Sequence, residues 1–126
     1  MIRILALSSL AFVLAACDRA KIAPELTTSL AATRTSATSV LIKVHVRNDR
    51  DTASVPLDVE VTAEPRTPAA WGQPVRVIHP VPFVLNKHES RDLETTMITS
   101  TGARATLSIH EAERGRSVVT KTAVVE

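Results

Sequence analysis

Histidines and carboxylates are the side chains of this sequence that could bind a metal or transfer protons. The histidines lie far apart in the chain, outside the short spacing of a zinc motif, at His45, His79, His88 and His110. Asp58 and Glu60 would share one face of a strand, roughly 7 Å apart, and paired carboxylates can perform acid–base catalysis. Alternating charge on a solvated strand face explains the same pattern without chemistry. We therefore expect no metal, no cofactor and no enzymatic activity, although His45 and His110 could be neighbours across a sheet.

The single cysteine, Cys17, follows an apolar segment. Arg3 supplies a positive charge, residues 4–13 are apolar apart from two serines, and Leu14-Ala15-Ala16 are apolar and small. A charged start, an apolar run of about 7–15 residues and small residues at its end describe a secretory signal peptide. The run is shorter than the roughly 20 apolar residues of a membrane-spanning helix. Cleavage after Ala16 by the ordinary signal peptidase would leave Cys17 as a free thiol.

Leu14-Ala15-Ala16-Cys17 resembles the lipobox of bacterial lipoproteins. The resemblance implies that residues 1–16 are removed and that the thiol of Cys17 carries a diacylglyceryl group. Two or more acyl chains hold a protein stably on a membrane, whereas one chain binds only marginally. Asp18 resembles the retention signal of many Gram-negative lipoproteins, which implies the periplasmic face of the inner membrane rather than the outer membrane. The alternative is that Asp18 is an ordinary polar residue of a linker.

Composition argues against nucleic acid as a partner. The full chain has 15 Lys and Arg against 13 Asp and Glu, and loss of Arg3 with the leader would leave a net charge of +1. These charges are mixed along the chain, without the basic block that nucleic-acid binders carry. Only Trp71 and Phe83 are aromatic after residue 16, too few for a sugar-binding or single-strand-binding platform. No second cysteine is present to form a disulfide.

Period-two alternation predicts an all-β domain over residues 39–126, preceded by the lipidated Cys17 and a tether over residues 17–38. Leu26 and Leu30 leave a short helix or a first strand open in the later part of the tether. Residues 40–47 and 55–62 alternate apolar with polar side chains, and we expect them to pair as an antiparallel hairpin. After residue 62, prolines at 65, 68, 74, 80 and 82 interrupt the alternating pattern. Further strands are predicted at 75–79, 91–99, 104–110 and 118–125, the last with either face inward, depending on Lys121.

Six or seven short strands with frequent turns describe a single antiparallel β-sandwich. Val44-His45-Val46-Arg47-Asn48, followed by Val55-Pro56-Leu57-Asp58-Val59, resembles the opening hairpin of immunoglobulin-like and fibronectin-type domains of bacterial surface proteins. The sequence departs from true immunoglobulin domains because it lacks their paired cysteines and has Trp71 in a loop. A transthyretin-like sandwich is the alternative.

Trp71 is the residue we expect to contact a partner, because an aromatic side chain in a proline-bracketed loop is a plausible interface anchor. The alternative is that Trp71 folds back to cover one end of the sandwich. The expected function is that of a lipid-anchored, non-catalytic adaptor for another envelope protein, in secretion, conjugation or a similar assembly. A lipoprotein that binds a small solute or glycan is the alternative.

Overall fold

The computed structural model of the protein describes residues 24–126. The predictions for the signal peptide, Cys17 and Asp18 lie outside these residues. All regular structure in the described part is β-strand, as the alternation predicts.

Seven strands follow one another along residues 24–126. Their bounds are β1 (Leu26–Ser36), β2 (Ser39–Asn48), β3 (Leu57–Pro65), β4 (Val75–Ile78), β5 (Ser90–Ile98), β6 (Ala103–Glu111) and β7 (Ser117–Val125). Pro74 directly precedes β4 and Pro80 closely follows it. Because proline cannot donate to a strand ladder, these two residues limit β4 to four residues.

The strands form two antiparallel sheets, one of three strands in the order β1-β2-β5 and one of four in the order β4-β3-β6-β7. The two sheets pack face to face in the manner of an immunoglobulin-like sandwich. The predicted all-β sandwich is therefore confirmed. The short strand β4 lies at an edge, which is where the flanking prolines require it to be.

The core consists of the inward-facing residues of the three central strands. Val40, Ile42, Val44 and Val46 of β2 are buried opposite the alternating apolar residues of β3 and β6. Burial of one such side chain contributes about 1.5–3 kcal/mol relative to exposure. Leu85 and Phe83, from the segment after β4, complete this core.

The predicted hairpin between residues 40–47 and 55–62 is wrong. β2 pairs with β1 and β5, whereas β3 pairs with β4 and β6, so residues 49–56 cross from one sheet to the other. Both strands have one apolar face, and the two faces meet across the core rather than side by side. Alternation indicates which face a strand buries, but the same alternation serves lateral pairing and face-to-face packing.

The sandwich begins earlier than predicted, because Leu26–Ser36 is a strand of the three-stranded sheet rather than part of a tether. Leu26, Thr28, Leu30 and Ala32 of β1 face the core, while the intervening side chains are exposed. These inward residues are small or polar at two of the four positions, so the apolar signal of β1 is weak. The predicted domain start at residue 39 is corrected to Leu26.

The inward face of β7 carries Val119, Ala123 and Val125, of which Val119 and Val125 pack against the core. Lys121 belongs to the same face, and its Nζ donates a hydrogen bond of 2.6 Å to the carbonyl oxygen of Thr28 in β1. The structure thus selects the alternative in which lysine shares the apolar face. At the edge of the sheet, the long lysine side chain can keep its ammonium group near solvent.

Candidate binding surfaces

The connections between strands divide the sandwich into two ends. The N-terminal end holds the start of β1 and the connections at residues 49–56, 79–89 and 112–116. The opposite end, here called the Trp71 end, holds residues 37–38, 66–74 and 99–102 together with Glu126. A nine-residue strand such as β3 spans roughly 30 Å, so the two ends are separated by about that distance.

Trp71 lies in the connection between β3 and β4, where local hydrogen bonds fix the backbone. The amide of Gly72 donates to the carbonyl of Pro65 at 2.7 Å, and Arg66 and Trp71 form an isolated antiparallel bridge. Thr67 closes the tip, because its hydroxyl accepts from the amide of Ala70 at 3.0 Å. The tryptophan is therefore presented by an ordered turn.

Gly72 permits this turn because the chain passes close to Pro65. A Cβ atom at position 72 would lie 3.0 Å from the Cγ atom of Pro65, tighter than ordinary packing allows. Glycine at this position thus avoids a tight contact between a side chain and the ring of Pro65.

Two arginine side chains stack on the Trp71 ring. The Cζ atom of Arg104 lies 4.8 Å from the ring centroid and that of Arg66 lies 5.3 Å from it, both within cation–π range. Arg104 is held by Glu64, whose Oε2 accepts from Nη2 at 2.6 Å. Trp71 is half-buried, neither inserted in the core nor fully exposed. Each cation–π contact at such a site is worth about 0.5–1 kcal/mol.

Arg34 organises the rest of the Trp71 end, which the sequence did not indicate. Its guanidinium group donates to backbone carbonyls in three segments, those of Ser36 (3.2 Å), Ala37 (3.5 Å), Thr99 (3.1 Å), Thr101 and Glu126 (3.2 Å). The planar fork of arginine can satisfy several acceptors at once, which a lysine cannot do with the same geometry. An arginine in a strand gives no sequence signal for this role, because its acceptors are main-chain atoms.

A shallow groove of about 460 Å³ crosses the outer face of the three-stranded sheet. The strand register places Ser29, His45 and Asp92 in one row across β1, β2 and β5, and Ala31, Lys43 and Glu94 in the next. The groove is open over β1 because Ser29 and Ala31 have small side chains. Nδ1 of His45 and Oδ1 of Asp92 are 2.6 Å apart, on the exposed surface.

The histidines, which were weighed as metal ligands and not expected to bind a metal, lie apart from one another. His45, His79 and His88 each contact a different aspartate, at 2.6, 2.9 and 2.6 Å respectively. His45 lies in β2 and His110 in β6, so these two histidines are in different sheets and are not neighbours within one. Among residues 24–126, no three histidine, cysteine or acidic side chains are grouped to hold a metal.

Asp58 and Glu60 share the outer face of β3, as predicted, but each has its own partner side chain. Oδ1 of Asp58 lies 2.9 Å from Nε2 of His79, and Oε2 of Glu60 lies 3.4 Å from Nη2 of Arg76. The two carboxylates thus contact separate partners along the strand. Within residues 24–126, no helix has the length and apolarity to cross a membrane.

Comparison with known proteins gives similarity of fold only. No known protein family matches the chain, and no curated protein matches its sequence. Among solved structures, the chain is similar to a CARDB domain from Pyrococcus furiosus, with a TM-score of 0.55 and 15% identity, over 82% of this chain and 94% of that one.

The chain is also similar to parts of much larger proteins. It matches the Pseudomonas fluorescens alkylpurine DNA glycosylase AlkC, solved with DNA containing an abasic site analog, with a TM-score of 0.55 and 9% identity, over 80% of this chain and 30% of that one. It matches a Bacteroides uniformis beta-glucuronidase with a TM-score of 0.54 and 11% identity, over 78% of this chain and 12% of that one. The chain thus spans less than a third of these two enzymes.

Proposed function

We propose that this chain is a lipid-anchored, non-catalytic adaptor that binds another protein of the bacterial envelope through the Trp71 end. The observation that carries the proposal is the half-exposed Trp71 ring, held by Arg66 and Arg104 in an ordered turn. Tryptophan and arginine are the residue types most enriched at the energetic centres of protein interfaces. A ring already fixed before binding loses little conformational freedom on association.

The anchor proposed at Cys17 supports the same function by geometry. Eight residues separate Cys17 from Leu26, where the sandwich begins at the N-terminal end. The Trp71 end would then face away from the bilayer, toward partners in the periplasm. Confinement to the membrane surface raises the effective concentration of a partner held on the same membrane, so that even a modest contact suffices.

Cross-linking from two positions tests this proposal. A photoreactive amino acid at Gln73, exposed beside Trp71, should yield a cross-linked partner in intact cells, whereas the same group at exposed Lys87 of the N-terminal end should not yield that partner. Trp71→Ala should reduce the Gln73 product severalfold or more, because truncation of an interface tryptophan typically costs about 2 kcal/mol. Val81→Ala is the matched control, since Val81 is 84% exposed and apolar but lies outside the Trp71 end.

Two outcomes would contradict the proposal. If Trp71→Ala lowered the melting temperature by far more than the few degrees expected for about 1 kcal/mol, the residue would be a structural plug. If no protein cross-linked and a solute instead shifted the resonances of residues lining the outer groove, the solute-binding alternative would replace the adaptor. That groove, with Lys43 and Glu94 in adjacent strands, is the observation that favours the alternative.

A further inference from the structure

Three of the outer strands of the two sheets, β4, β5 and β7, differ in how their edges are protected. An open strand edge presents unpaired main-chain N–H and C=O groups, and proteins usually protect it with charges, prolines or brevity. β4 has only four residues and lies between Pro74 and Pro80. β5 carries Arg91, Asp92 and Glu94. Both edges are therefore protected against pairing with another strand.

β7 lacks these protections. It has nine residues and contains no proline, and the side chains of Thr120, Thr122 and Val124 on its outward face are uncharged. Six of its nine residues are valine or threonine, types favoured in strands. Val124 is 53% exposed. Within residues 24–126, no strand pairs with the side of β7 that faces away from β6.

The surface beside β7 also has a distinctive chemical character, because one ammonium group lies there among apolar side chains. β7 lies next to β1 of the other sheet, where Lys121 Nζ donates to the neutral carbonyl of Thr28. Among the described residues, no carboxylate forms an ion pair with Lys121. Its neighbours on the inward face of β7 are apolar and only half-buried, so this side of the sandwich leaves Val119 and Ala123 partly exposed around one ammonium group.

We propose that the open edge of β7 is a strand-acceptor site, which binds an extended segment of a partner protein carrying one acidic side chain opposite Lys121. Main-chain hydrogen bonds to β7 would provide affinity, as in other cases of strand addition. Alternate side chains of the segment would face inward, so specificity follows from an apolar, acidic, apolar pattern at every second residue. Apolar positions would cover Val119 and Ala123, and the acidic position would neutralise Lys121.

This inference names the binding mode of a partner and rests on the proposed adaptor function for its biological role, but it concerns a different surface from Trp71. A synthetic peptide tests it without a natural partner. The probe is a nine-residue capped peptide with threonine at outward positions and valine at inward ones, except for one central inward glutamate. The full isotope-labelled chain, purified in detergent, is titrated with the peptide and observed by NMR.

We expect the amide resonances of Ser117–Val125 to shift at millimolar peptide or below, while those of the charged edge strand β5 do not. A peptide with central lysine should bind about fivefold more weakly, the range of a single solvent-accessible ion pair. Lys121→Glu should reverse this preference. Lys87→Glu is the matched control, because it makes the same change of charge on an exposed lysine in the turn before β5.

N-methylation of the peptide separates main-chain pairing from side-chain contact. Two peptides, each methylated on one of the two alternating sets of amides, keep every side chain but lose the hydrogen bonds along one edge. At least one of them should lose binding altogether. Unshifted β7 resonances would overturn the proposal, as would equal binding by both methylated peptides or a charge preference unaffected by Lys121→Glu. A negative result here leaves capture through Trp71 standing, and loss of the Trp71 contact leaves the peptide result standing.

Discussion

Glu111 is a buried carboxylate that has Arg116 as its cationic neighbour. Its side chain is 2% exposed and is the last on the inward face of β6. The other inward residues of β6 are Ala103, Ala105, Leu107 and Ile109. The Nε atom of Arg116 lies 3.2 Å from Oε2. Neither carboxylate oxygen has a hydrogen bond of good geometry within residues 24–126, so Arg116 is the countercharge on which the carboxylate depends.

A double-mutant cycle measures this dependence. Arg116→Ala should destabilise the fold by about 1–3 kcal/mol, because it leaves a buried charge uncompensated. Glu111→Leu should be neutral or stabilising, and in that background Arg116→Ala should cost almost nothing. Denaturant unfolding of the three variants gives the coupling energy. Arg114→Ala, an exposed arginine of the same turn, is the control, and equal costs of Arg116→Ala in both backgrounds would show that the pair is not coupled.

At the scale of elements, Asn48 fixes the connection through which the chain passes from β2 to β3 in the other sheet. Its side chain is fully buried, and Nδ2 donates to the carbonyls of Thr52 (2.8 Å), Leu85 (3.1 Å) and Asn86 (3.1 Å). Its Oδ1 accepts from the amide of Arg50 at 3.1 Å. One amide side chain thus holds the crossing segment against the segment that precedes β5.

Replacement of Asn48 by alanine should therefore cost about 2–4 kcal/mol, because the four hydrogen bonds of a fully buried side chain are lost together. The measurement is equilibrium unfolding monitored by circular dichroism, with β-structure retained in the folded baseline. Asn86→Ala makes the same substitution at an exposed position and should change stability by less than about 0.5 kcal/mol. Similar effects for both substitutions would refute the role given to Asn48.

The faces of the central strands could be predicted from sequence, because β2, β3 and β6 alternate strongly between apolar and polar residues. Their pairing could not, since the alternation of Val44 and Val59 is the same whether the strands lie side by side or face to face. The structural roles of Asn48, Glu111 and Arg34 could not be predicted, because asparagine is typical of turns and charged residues are typical of the surface. Trp71 was located in its loop correctly, but its arginine neighbours depend on pairing between β3 and β6, which sequence spacing does not reveal.

At the scale of the whole molecule, the proposed attachment to a membrane would depend on the sulfur of Cys17, which lies outside the described residues. Mass spectrometry of protein purified from a bacterial host should show a chain that begins at Cys17 and carries an acyl-glyceryl group. Cys17→Ser should leave the chain unprocessed or release it from the membrane fraction. The Trp71→Ala variant is the control, and we expect it to stay in the membrane fraction. An intact leader, or an unmodified thiol at Cys17, would rule out the anchor.

The Arg34 contacts have a consequence for the order in which the chain matures. Arg34 in the first strand binds the carbonyl of Glu126, and Lys121 in the last strand binds the first strand in return. Because contacts of such long sequence separation form slowly, we expect closure of the sandwich to come late in folding. During synthesis, most of the chain lacks the partner that would complete its fold. Such a delay suits a protein that is threaded through a narrow export channel before it folds, which is the route that its proposed leader requires.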